Sequence, residues 1–125
     1  MSERQPSMPA QLQEQLAQLQ QLQQTLQVVT SQRQQVEMEL ADTDRGLEEV
    51  KKIAASGTVY KSVGAILVKK DRASIVKDLT ERKELLKVRA SVLGKQETKT
   101  REKLTGIQQQ VQARLKPPPT KPALS

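Results

Sequence analysis

From Gln11 to Ala55 the chain repeats in sevens. Leu12, Leu19, Leu26, Arg33, Leu40, Leu47 and Ala54 form one series. Gln15, Leu22, Val29, Val36, Thr43 and Val50 form a second, three residues behind the first. Two such series sustained over six repeats are the a and d positions of a coiled coil. Gln15, Arg33 and Thr43 are polar interruptions of the seam, a kind that weakens packing while fixing register. About half the residues between Gln11 and Gln35 are Gln, but Leu punctuates them at helical spacing and Gln is a fair helix former. The stretch is read as helix rather than as a low-complexity tract.

A second helical pattern runs from Ser74, a suitable N-cap, to Leu115. Its apolar positions are Ile75, Leu79, Leu86, Leu93, Ile107, Val111 and Leu115, joined by Leu85, Val88, Val92 and Leu104. Leu79, Leu86, Leu93, Thr100 and Ile107 form an a-like series. Their d partners, taken three residues on, are mostly polar: Arg82, Arg89, Gln96 and Lys103. The second seam is therefore expected to be rougher than the first. Pro117, Pro118 and Pro119 stop the helix.

Between the two lies "GTVYKSVGAILVKK", residues 57–70. Gly57, preceded by Lys51 and Lys52, is a candidate C-cap. "TVYKS" and "AILVK" are rich in β-branched residues, with Gly64 between them as the turn. The predicted fold is mainly α: a long antiparallel two-helix coiled coil joined by one β-hairpin. Each helix should be some 60–70 Å long at about 1.5 Å per residue, with both chain ends at one tip and the hairpin at the other. The boundaries are a flexible N-terminus 1–10, a first helix 11–56, a hairpin 57–72, a second helix 73–116 and a flexible Pro-rich tail 117–125.

A hairpin of two short strands is marginal alone and has two free edges. If several copies pooled theirs, the strands could close an intersubunit β-barrel that buries Val59, Ile66, Leu67 and Val68. The hairpin is thus read as an assembly element.

Composition narrows the chemistry. Phe, Trp and Cys are absent, and Tyr60 is the only aromatic residue, which fits a narrow aliphatic seam better than a spherical core. Without Cys there is no disulfide framework or thiolate zinc site. Without His the commonest general base and metal ligand is missing. The N-terminus lacks the apolar core of a secretory signal, and "AILV" is too short to span a bilayer. A cytoplasmic protein with no membrane partner is expected.

Of the net charge of +7, residues 1–60 carry five Lys/Arg against eight Asp/Glu, and the remainder sixteen against six. An acidic first helix could lie along a basic second one, or the basic half could meet nucleic acid. Lys95, Lys99, Arg101 and Lys103 alternate with Glu81, Glu84, Glu97 and Glu102, unlike the dense basic region of a zipper protein, so no nucleic-acid partner is expected. "GTVYKS" lacks the second Gly of a phosphate-binding loop. Glu37, Glu39, Asp42, Asp44, Glu48 and Glu49 read as a solvated helical face, not a metal or acid–base cluster. No enzyme and no cofactor are expected.

The order helix, "VYKSVGAILVKK" and equally long helix, with its Val-Tyr-Lys-x-x-Gly-x-x-Leu-Val arrangement including Tyr60 and Gly64, resembles the β-class subunits of the prefoldin family. The resemblance spans about residues 11–115, and "VEMEL" and the short Pro-containing tail look especially like archaeal members. It implies a hexamer of two α and four β subunits whose hairpins build a double β-barrel carrying six coiled-coil arms. It implies an ATP-independent holdase that takes unfolded proteins as clients and delivers them to a group II chaperonin.

On that reading Leu12, Leu16, Leu19 and Leu22, set against Ile107, Val111 and Leu115, are the candidate client contacts at the arm tip. Leu16 lies outside the strict seam, so the tip carries more Leu than two helices need, and several arms would share a client. Lys103, Arg114, Lys116 and Lys121 are the basic candidates for chaperonin contact. The alternative is a scaffolding coiled coil that does not handle clients, which would have no need of the hairpin.

Overall fold

The computed structural model describes residues 9–115. The expectations for residues 1–8 and 116–125 lie outside the described residues. Helix α1 spans Ala10–Lys51, strands β1 and β2 span Val59–Val63 and Ile66–Lys70, and helix α2 spans Arg72–Leu115. The chain divides into two compact units. A terminal unit comprises α1 up to Val29 and α2 from Gln96, and a hairpin unit runs from Thr30 to Lys95.

The heptad pattern holds along α1. Leu12, Val29, Thr43 and Leu47 are buried, while Gln15, Leu19, Leu22, Leu26, Arg33, Val36, Leu40 and Val50 are half-buried. Residues 52–56, expected to be helical, instead form turns, and Ala54 is exposed. The last turn tightens through bonds from Lys52 N–H to Glu49 O and from Ile53 N–H to Val50 O, at 3.2 and 3.1 Å. Arg72 then donates from Nε to Val50 O at 3.3 Å and from Nη2 to Lys51 O at 3.1 Å. A cation on α2 therefore caps the negative end of α1.

Gly57 is not a left-handed cap, since Gly64 is the described residue with positive φ. Its N–H donates to Ala54 O at 2.7 Å, and a β-carbon there would lie 2.9 Å from that same oxygen. Gly is needed for close approach of the backbone.

The start of α2 differs from expectation. Asp71, not Ser74, is the N-cap: its Oδ1 accepts from Ser74 N–H at 2.6 Å, and its carbonyl accepts from Ile75 N–H at 3.2 Å. Asp71 sits where its carboxylate reaches the third helical N–H, the geometry such caps require.

The register of α2 is also corrected. Arg82, Arg89, Gln96 and Lys103 are exposed; the residues that alternate with Leu79, Leu86, Leu93, Thr100 and Ile107 in the seam are Lys83, Ala90, Glu97, Leu104 and Val111, one position later. The Leu79 series is thus followed after four residues rather than three, which makes it the d series of the heptad. Shifted by one, the seam gains the buried Leu104 and Val111 and is smoother than the three-residue spacing predicts.

Both units pair α1 and α2 in antiparallel sense. In the hairpin unit a β-carbon on Gly46 would lie 4.0 Å from Leu79 Cδ1. There Asp44 meets Lys83 at 2.5 Å and Glu39 meets Arg82 at 3.9 Å. In the terminal unit Gln15 bonds Gln110 at 3.0 Å. Within the hairpin unit the pairing passes from Val50 with Arg72 through Gly46 with Leu79 to Asp44 with Lys83, so α1 numbers fall as α2 numbers rise.

Candidate functional site

The hairpin is an antiparallel pair in the register Val59↔Lys70, Tyr60↔Lys69, Lys61↔Val68, Ser62↔Leu67 and Val63↔Ile66. Gly64 and Ala65 form the two-residue turn, with Gly64 at φ 58°. A Gly of positive φ at the first central position is the II′ arrangement, whose twist matches that of the flanking strands.

Directly opposed residues share a face, and successive residues alternate. Val59, Lys61, Val63, Ile66, Val68 and Lys70 therefore lie on one face, and Tyr60, Ser62, Leu67 and Lys69 on the other. Of the four residues expected to be buried together, Leu67 is on the opposite face from Val59, Ile66 and Val68. Val63 joins that trio, and sequence reasoning passed over it.

Within the chain Val59 is buried and Val68 half-buried. The remainder is open: Tyr60 is 59% exposed, Val63 49%, Ile66 62% and Leu67 70%. The two strands pair only with each other, so both outer edges have backbone groups without strand partners among the described residues. Large apolar groups on both faces and two open edges are a surface built to be covered.

A groove runs beneath β1, lined by Val59 and Tyr60 from the hairpin, Val50 from α1 and Leu79 and Leu85 from α2, with Asp78 and Glu81 also on its wall. Val88 and Val92, like Leu85, are exposed. These three fall outside the seam, which is why they stood apart from the heptad pattern.

In the terminal unit, Leu12 and Val111 are buried, and Leu16, Leu19, Leu22 and Ile107 are half-buried. Leu115 is 60% exposed. Leu22 and Ile107 are brought together in the floor of a shallow groove walled by Gln18, Gln21, Thr25, Lys103 and Gln110. Gly106 lines it too, and no neighbouring atom lies near the position a β-carbon would take there. Val28, outside the candidate set, is exposed in the same unit. Lys103 and Arg114 are exposed, while Lys116 and Lys121 lie outside the described residues.

The carboxylates of α1 are dispersed among cations. Glu37 meets Arg33 at 2.9 Å and Asp42 meets Arg45 at 4.0 Å within the helix, and Glu49 meets Lys52, just past its end, at 3.2 Å. Asp44 and Glu39 instead reach Lys83 and Arg82 on α2. The hydrogen bond from Lys83 holds the Asp44 carboxyl below its ordinary value, and the same bond raises Lys83. Among the described residues no group of three acidic side chains gathers as a metal site, and no helix is long and apolar enough to cross a membrane.

The sequence pattern described as "Prefoldin subunit" matches residues 13–117, which takes in both helices and the hairpin. The chain belongs to the prefoldin subunit family. Its likeness within prefoldin is to archaeal beta subunits. Prefoldin subunit beta of Archaeoglobus fulgidus is 48% identical over 110 residues, covering 88% of this chain and 95% of that one. Prefoldin subunit beta of Thermococcus onnurineus is 40% identical over 111 residues, covering 89% and 96%. The crystal structure of the prefoldin beta subunit from Thermococcus strain KS-1 superposes with a TM-score of 0.81 at 38% identity, covering 91% of this chain and all of that one. Two long helices joined by a single antiparallel hairpin are therefore the prefoldin beta fold.

Proposed function

We propose that this chain is the β-class subunit of an ATP-independent holdase working in the cytoplasm without catalysis. Its hairpin joins those of other subunits in an intersubunit β-barrel, in a hexamer with two α-class subunits and four copies of this chain. The terminal units of several arms hold an unfolded client between them and pass it to a group II chaperonin. The observation that carries the assembly reading is the hairpin itself, with Tyr60, Val63, Ile66 and Leu67 all exposed across its two faces. A single chain cannot cover both.

Client contact is assigned to Leu12, Leu16, Leu19, Leu22, Ile107, Val111 and Leu115. Support comes from apolar content beyond the seam, with Leu16 off the heptad and Leu115 exposed, and from the seam residues Leu22 and Ile107, which also line an open groove. Each contact is weak, and joining several arms raises the effective concentration of the others. Lys103 and Arg114 are the basic residues assigned to chaperonin contact, together with Lys116 and Lys121.

The test is the complex recovered from the source cells through a tag on this chain. Its native mass should correspond to four copies with two larger partners, and it should suppress aggregation of a diluted, denatured test protein without ATP. A homodimer inactive in that assay would instead favour a scaffolding coiled coil.

A further inference from the structure

Three polar residues interrupt the seam of α1, and their fates differ. The Thr43 hydroxyl donates to Glu39 O of its own helix at 2.8 Å. Arg33 donates to the Glu37 carboxylate at 2.9 Å. Gln15 donates from Nε2 to Gln110 Oε1 at 3.0 Å, but its own Oε1 is closed off from solvent without a hydrogen-bond partner. The amide has both a donor and an acceptor end; turning it over together with the Gln110 amide would only exchange which end of Gln15 is stranded. A stranded buried acceptor loses its hydration and receives nothing in return.

The position of Gln15 gives that deficit a consequence. Its seam neighbours Leu12 and Leu19 are buried and half-buried, and on α2 Val111, next to Gln110, is buried with Leu104. Separation of the helices at this layer would restore water to the Gln15 oxygen and uncover Leu12 and Val111 together. No such gain awaits the hairpin unit, where Thr43 keeps its intrahelical bond whether its layer is open or closed.

We propose that the Gln15–Gln110 layer is a built-in weak point that makes the terminal unit open locally, with Leu12 and Val111 buried when it is closed and reachable when it is open. Gln15 acts as a positioning residue through the equilibrium it sets, in the manner of other low-stability segments that work by local opening. The link to clients rests on the assignment of client contact to this unit.

The experiment is amide hydrogen exchange on the assembled complex, wild type against Gln15→Leu, with client capture measured in parallel. Leu restores an apolar seam position and removes the stranded oxygen, so exchange at amides around Leu12–Leu19 and Leu104–Val111 should slow about tenfold, with amides around Thr43 unchanged. Capture should slow with it. Unchanged or faster exchange in the terminal unit overturns the weak point. Slowed exchange with undiminished capture leaves the weak point standing and overturns its link to clients. A wild-type complex that captures nothing overturns the client reading, while the exchange comparison still decides the device. Gln15→Met provides a second apolar variant that must behave like the first.

Discussion

Lys83 Nζ donates to Asp44 Oδ1 at 2.5 Å, joining α2 to α1 in the hairpin unit. Lys83 occupies a seam position that the corrected heptad assigns to it, half-buried with its ammonium on a partner from the facing helix. The first expected outcome concerns pH. Asp44 is lowered from 3.8 by that hydrogen bond, so its contribution is present above 3.8 and is lost as pH falls through the lowered folded value. Lys83 is raised from 10.5, so its contribution is present below 10.5 and is lost as pH rises through the raised folded value. The melting-temperature difference between wild type and Asp44→Asn should be flat around neutrality and shrink at both extremes. Added salt should also reduce it, because both groups reach solvent. A difference that persists undiminished well below pH 3.8 would assign it to packing.

Core truncation should separate seam from surface. Leu86 is 2% exposed, and Leu86→Ala should cost about 3 kcal/mol in denaturant unfolding. Met38 is 68% exposed, and Met38→Ser should stay within about 0.5 kcal/mol of wild type. Equal effects would mean that the seam is misplaced.

The turn and the cap can be probed individually. Gly64→Ala places a β-carbon at φ 58° and should cost about 1–2 kcal/mol in strain, loosening the hairpin register. Asp71→Ala removes the bond to Ser74 N–H and should cost about 1 kcal/mol. Both read out in unfolding of the isolated chain and in native mass; a neutral Gly64→Ala would remove the II′ assignment.

Polar replacement on the hairpin should disassemble without unfolding. In Val63→Ser/Ile66→Ser the changed residues are exposed within the chain, so the helical circular dichroism should hold while native mass falls toward that of separated subunits. Retention of the full mass would show that the interface lies elsewhere.

Much of this was readable in the sequence, and the exceptions have common causes. The α1 seam was legible because a strict seven-residue repeat survives its polar members, and Gly64 marked its turn because only glycine accepts that φ without cost. The α2 register was misplaced by one residue because Lys83 and Glu97 occupy seam positions, and a pattern search that follows apolarity passes over charged members. Ser74 looked like a cap, but Asp71 had the correct spacing to the third helical N–H. The Arg72 cap on α1 joins residues 21 and 22 apart, and no local signal announces such a bond. Leu67 and Val68 are both apolar, yet the alternation of a strand puts neighbours on opposite faces. The stranded Gln15 oxygen depends on what lies opposite it, which a heptad assigns only once both registers are known.

The most direct measurement is aggregation suppression by the assembled complex carrying Leu12→Ser, Leu16→Ser and Leu19→Ser, with native mass recorded on the same sample. The account predicts an unchanged mass and a large loss of client capture, because assembly is assigned to the hairpin and capture to the terminal unit. Undiminished capture at unchanged mass would contradict the assignment of clients to these residues, and a collapse in mass would contradict the division of labour itself.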